Sequence, residues 1–261
     1  MCTVSVINTC VMPILLYGCE NWILTEMSVQ KLESFLGWMA KKALKWPLHF
    51  SNTAALVVLG LETMKSRILI RKLCFLLHLL SGEENGVAVS TMRALLDDPD
   101  EVCIVKECRD LEVVYNLRLS YELLSDPHSV HVQDIKKNVL QADKALLLDR
   151  CLAKAPLIAE VVKRGGSWPA LWDSVRHAGS RHTTGLQHLS RLLAHHGRGS
   201  KPCPRCEEKP AGGDLTEHVL TIHKEDINIR PHLTAETLLN HLVERDNILF
   251  TYRFRNLFSF F

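Results

Sequence analysis

Nowhere in its 261 residues does the sequence sustain the polar–apolar alternation of a half-buried strand, so little sheet is expected. Long apolar runs are missing too. Leu73 to Leu80 falls well short of the roughly 20 residues that cross a bilayer. Val4 to Cys19 is apolar, but it lacks a basic leader and is broken by Pro13, which makes a poor signal peptide. The 9 cysteines are odd in number and thinly spread from Cys2 to Cys206, unlike the framework of a disulfide-bonded secreted domain. Most read as small buried apolar residues of a reducing compartment. A cytoplasmic or nuclear chain with no membrane contact is therefore expected.

Catalytic signatures are equally scarce. No Walker A loop, G-x-G-x-x-G or G-x-S-x-G occurs. Asp97-Asp98 precedes a proline in a polar loop, without the apolar and aromatic frame of a polymerase-type metal hairpin. Glu20, between Cys19 and Trp22, is a single carboxylate, and His195-His196 reads as a solvated pair. The residues offer no catalytic constellation, and an enzyme is not expected.

What is present is ordinary globular composition, 47% hydrophobic and 23% charged, long enough for one or two domains. Helical punctuation runs nearly throughout. Thr25 or Ser28 caps a helix in which Leu32, Phe35, Leu36, Met39 and Ala43 share a face, ending at Trp46-Pro47. Ser51, Asn52 or Thr53 caps a short helix that ends near Gly60. A longer one spans Thr63 to Leu80. Further turns fall at Asp97-Asp98-Pro99, Ser125-Asp126-Pro127 and Gly165-Gly166-Ser167. The expected fold is mostly α, with helical regions at 1–82 and 83–180, a basic segment with a small zinc module at 181–225, and a C-terminal helix and aromatic tail at 226–261.

The formal net charge of +2 hides an uneven distribution. Residues 61–80 carry four bases and one acid, 83–150 eight bases and fourteen acids, and 151–210 ten bases and four acids. Lys41, Lys42 and Lys45 are expected on the polar side of the first capped helix, and Lys65, Arg67, Arg71 and Lys72 on that of the third. Arg181, Arg191, Arg198, Lys201 and Arg205 form a later basic patch. Such faces can follow a phosphate backbone of RNA or DNA through counterion release, without specifying a base sequence. A merely solvated face is the alternative for the first two groups.

The strongest local pattern is Cys203-Pro-Arg-Cys206 followed by His218 and His223, a C-x2-C-x11-H-x4-H spacing. Two thiolates on a tight turn and two imidazoles one helical turn apart can converge on a tetrahedral Zn²⁺. Four protein ligands would make the site closed and structural. Glu207 to Glu217 contains no aromatic residue, which favours a knuckle over a base-reading finger.

Met12-Pro-Ile-Leu-Leu-Tyr-Gly-Cys-Glu-Asn-Trp22 resembles the P-I-L-x-Y-G-x-E-x-W stretch after the polymerase palm of non-LTR (LINE-type) retrotransposon reverse transcriptases. Leu32 to Leu73 is generally similar to the helical region that follows. Thr184-Gly185-Leu-Gln-His188, Cys203-x2-Cys206 and Glu217-His218 resemble the late zinc segment of that family. The resemblance implies a thumb-like helical region, then a knuckle that helps hold RNA or target DNA. It also implies that the catalytic aspartates belong to a palm upstream of Met1, so that this chain is a truncated or separately encoded C-terminal portion, with a fragment that acts only beside a separate polymerase palm as one alternative. Many relatives carry a Cys where His223 stands, and His188 falls one residue later than the family's T-G-H pattern. An inert retroelement remnant, or a helical protein-interaction scaffold using residues 83–150 and the aromatic tail, are the alternatives.

Overall fold

The computed structural model describes residues 2–81, 86–87, 90–91, 104–178, 180–195, 203, 206–208, 215–222 and 235–243. Among these every regular element is helical, as the missing alternation requires. None of the described helices is long and apolar enough to cross a membrane. The chain divides into two compact units, Met1–Ser5 with Gly37–Leu61 and Leu147–Phe261, and Val6–Leu36 with Glu62–Leu146. These units interleave along the chain.

The N-terminal motif folds as a series of short turns. Helix α1 (Cys2–Val6) passes into a π-helical turn at Ile7–Val11, then α2 (Met12–Leu15) and a 3-10 turn at Cys19–Asn21. Gly18 connects the last two with φ 68°, a left-handed conformation that glycine adopts without steric cost. Met12, Leu16 and Cys19 are buried, whereas Ile14 and Tyr17 are 80% and 83% exposed.

Helix α3 (Glu26–Ala43) begins where Thr25 Oγ1 accepts the Ser28 N–H at 3.2 Å. It buries Val29, Leu36, Met39 and Ala40. Phe35, expected on that face, is 41% exposed, because it lies at the edge of the apolar arc. The helix closes with Lys45 at φ 54° and the Trp46 N–H donating to the Lys41 carbonyl at 2.8 Å, so that Pro47 falls outside it.

In the second unit, α5 (Met64–Leu80) packs against α6 (Ile104–Tyr115), α7 (Leu119–Ser125) and the 3-10 turn, burying Ile68, Leu69, Leu73 and Leu76. Its N-terminus is capped twice. Thr63 Oγ1 accepts the Ser66 N–H at 3.2 Å. Asp143, from the long helix α8 (Val132–Lys154), accepts from Thr63 N at 2.9 Å, Thr63 Oγ1 at 2.7 Å, Ser66 Oγ at 3.0 Å and the Tyr115 hydroxyl at 3.2 Å. A buried carboxylate at a helix N-terminus is stabilised both by these donors and by the helix dipole. Burial and the neighbouring Asp143 charge push the Tyr115 phenol well above its ordinary value.

In the first unit, α4 (Asn52–Leu59) is capped by Ser51, whose hydroxyl accepts the Ala54 N–H at 3.3 Å. Gly60 ends it at φ 65°, and a Cβ there would lie 2.5 Å from Pro169 Cγ. Helices α9 (Pro156–Lys163), α10 (Trp168–Ala178), α11 (Ser180–His195), α12 (Leu215–Ile222) and α13 (Ala235–Val243) complete the described part of this unit. Two buried indoles lock them together. Trp168 Nε1 donates to the Ile158 carbonyl at 3.1 Å, and Trp172 Nε1 to the Val58 carbonyl at 3.0 Å. No disulfide links the described cysteines. Cys19, Cys108 and Cys151 are buried thiols, and burial pushes Cys151 up to about 12.

Candidate metal centre

Cys203, Cys206 and His218 converge. One ligand atom from each lies within 4.8 Å of the other two, and Cys206 Sγ sits 3.2 Å from His218 Nε2. Around a tetrahedral ion with bonds of about 2.3 Å to sulfur and 2.0 Å to nitrogen, S and N donors stand roughly 3.5 Å apart. The three side chains are therefore already at metal-binding separation.

Local folding explains how. Cys203 is bonded to the residues after Cys206 in both directions: the Glu207 N–H donates to the Cys203 carbonyl at 2.8 Å, and the Cys203 N–H to the Glu208 carbonyl at 2.8 Å. Glu207 turns the chain with φ 57°. The two hydrogen bonds hold Cys203 close to the stretch that carries Cys206. His218 comes from the second turn of α12, where Val219 and Leu220 are buried and Thr216 Oγ1 donates to the Leu192 carbonyl of α11 at 3.1 Å. That last bond fixes the helix carrying the imidazole to a helix with a buried face. Thr216 went unremarked in the sequence, although a hydroxyl in the first turn of a helix is a recurrent tether. Cys203 and His218 are buried and Cys206 half-buried, so an ion here would be largely shielded from water. His223 lies outside the described residues.

The basic residues are placed less uniformly than the sequence suggests. Lys72 is fully buried, paired with Glu107, and its Nζ donates to the carbonyls of Glu20 at 3.1 Å and Trp22 at 2.8 Å. Lys41 is buried, donating to the Leu48 carbonyl at 2.6 Å, and burial pulls it below the ordinary lysine value. Arg191 is buried in α11. These three do not stand on a solvated face, because each side chain is buried. Arg67 pairs with Glu62 and donates to Asn8 Oδ1 at 2.8 Å, Arg71 donates to the Leu16 carbonyl at 3.1 Å, and Lys65 pairs with Glu26 at 3.2 Å. Lys42 and Lys45 are exposed. Arg198, Lys201 and Arg205 lie outside the described residues, as does the side chain of Arg181 in α11. His188 is buried in the same helix.

Compared with protein-family models, with curated proteins and with solved structures, the chain matches none.

Proposed function

We propose that this chain is a non-catalytic, nucleic-acid-binding C-terminal part of a non-LTR retrotransposon reverse transcriptase, without the palm aspartates of the polymerase. The observation that carries the reading is the convergence of Cys203, Cys206 and His218 in the segment that resembles the late zinc segment of that family. Two sulfurs and an imidazole nitrogen suit Zn²⁺, a borderline-soft ion that imposes tetrahedral geometry without redox chemistry. The fourth ligand in this reading is His223, five residues after His218 in the sequence, which would close the site and make it structural. The zinc module then stiffens the end of the first unit, beside the basic segment that runs from Arg181 to Arg205.

RNA or DNA is held through phosphate contacts by the bases that remain free to reach it, Lys42 and Lys45 among the described residues. The reading is tested by measuring RNA and DNA affinity across a salt series. Affinity that falls as salt rises supports it, and absent or salt-independent binding rejects it. Primer extension by this chain alone is expected to give no product. A protein partner, such as a separate polymerase palm, is favoured by one specific observation: Ile14, Tyr17 and Ile23 are large, apolar and more than 70% exposed in the second unit.

A further inference from the structure

Three helical faces of the second unit enclose a cleft of about 510 Å³. Arg67, Ile70, Arg71 and Cys74 follow one another along α5 at the three- and four-residue separations that place side chains on one face. Val132, Lys136 and Leu140 do the same on α8. Asn8, Met12, Pro13 and Leu16 of the N-terminal turns form the remaining wall. The walls are mainly apolar, yet Arg67, Arg71 and Lys136 bring three cations against a single acid, Glu62. Those cations are positioned without being fully satisfied. Arg67 pairs with Glu62 and donates through Nη2 to Asn8 Oδ1 at 2.8 Å, while its Nε is buried with no partner among the described residues. Arg71 donates through Nη1 to the Leu16 carbonyl at 3.1 Å, which leaves the rest of its fork uncommitted among the described residues. Lys136 is exposed and forms no ion pair with a described acid. Asn8 lies in the π-helical turn Ile7–Val11, a rare form that is frequent at functional sites. With its Oδ1 committed to Arg67, the Asn8 amide nitrogen is left as a donor.

We infer that this cleft binds a small phosphomonoester that carries an apolar body. The inference goes beyond the nucleic-acid reading and does not depend on it. Arg67 and Arg71 are separated by about 6 Å along α5, close enough for two guanidinium forks to grip one phosphate. Three cations less one acid leave a net charge of +2, which matches the charge of about −2 on a phosphomonoester near pH 7. A carboxylate would answer only half of it. Inorganic phosphate would meet the cations but leave Met12, Ile70, Val132 and Leu140 uncovered, whereas an apolar molecule without a head would leave the cations unanswered. Apolar walls with a few convergent polar groups, in a cleft of roughly 300–1,000 Å³, are the usual form of a small-molecule site. A phosphodiester of RNA or DNA carries one charge per phosphate with polar sugars on both sides, so it matches neither the charge nor the walls.

The test is isothermal titration of the full chain with octyl phosphate, which should bind once per chain. Inorganic phosphate, which lacks the body, and octanol, which lacks the head, should each bind at least about tenfold more weakly. Octanoate should also be weaker, and shortening the tail from octyl to butyl should lose about twofold to fourfold per methylene. Lys136→Gln removes an exposed cation and should weaken octyl phosphate about twofold to fivefold. Val132→Glu sets an acid in the cleft at the first turn of α8, where the helix dipole favours it, and should weaken binding about tenfold or more. Unchanged circular dichroism shows that each variant is folded. Cys74, half-buried in the same wall, locates the ligand without any substitution: bound octyl phosphate should slow its alkylation by iodoacetamide, followed by peptide mass spectrometry. Octyl phosphate binding no tighter than inorganic phosphate or octanoate overturns the inference. So does binding that neither variant weakens and that leaves Cys74 alkylation unchanged. The nucleic-acid reading stands or falls separately, on the salt series.

Discussion

Lys72 offers the sharpest test of how the basic residues divide between structure and binding. Its ammonium is enclosed, paired with Glu107 and bonded to the carbonyls of Glu20 and Trp22, while Glu107 also accepts the Leu24 N–H at 2.9 Å. Lys72→Met keeps most of the aliphatic stem but leaves a buried carboxylate and two carbonyls without their cation. Removing one partner of a buried pair costs about 3–5 kcal/mol, a third or more of the stability of many domains. The side chains of the pair are 1% and 12% exposed, so solvent screening reduces this little. Adding Glu107→Gln removes the stranded charge and keeps an acceptor for Leu24, so the double variant should recover about half of the loss. Urea unfolding followed by circular dichroism measures each corner of the cycle. A Lys72→Met protein within about 0.5 kcal/mol of the parent, the range of an ordinary surface substitution, with weakened affinity for RNA, would refute the assignment and return Lys72 to the phosphate-binding set.

Three other outcomes follow from the packing. Purified protein should carry one zinc per chain, and Cys203→Ser or His218→Ala should abolish it; unchanged metal content by mass spectrometry removes the knuckle. Glu33 is held above the ordinary carboxyl value of 4.5, chiefly by burial, while accepting the Lys65 N–H at 3.0 Å. An acid raised in the folded state favours folding while protonated and loses that contribution as pH rises through its folded value. Glu33→Gln should thus be more stable than the parent at pH near 7, with the gap closing as pH falls towards 4.5, measured by denaturation at both ends. Gly60→Ala meets both a left-handed backbone, worth about 1–2 kcal/mol, and the Pro169 ring, so it should lower the melting temperature clearly, and Pro169→Ala should return part of the loss.

Local chemistry made much of the fold legible. Thr25, Ser51, Gly60 and Thr63 all act at helix ends as their side chains dictate, and Cys203, Cys206 and His218 meet as their spacing requires. What escaped were partners distant in the chain. Asp143 caps a helix that starts near Thr63, and no local pattern links the two. Lys72 carried a usable signal: it stands four residues after Ile68, three after Leu69 and four before Leu76, which places it on the apolar face of α5. Chemical type outweighed periodicity in reading it as a surface base. Lys41 lacked such a signal, because its ammonium is captured by carbonyls of the loop after α3.

The interleaving of the two units has a consequence for biosynthesis. As the chain emerges from a ribosome, the unit ending at Leu146 is the first to have all of its residues available. Gly37–Leu61, already made, carries Ala54, Ala55, Leu56 and Val58, which become buried only in the unit that also needs Leu147 and beyond. The packing of this early segment within its own unit therefore awaits the synthesis of Leu147 and beyond, and chain segments that wait for distant partners are where chaperones act. A fragment cut near residue 82 would hold pieces of both units and complete neither.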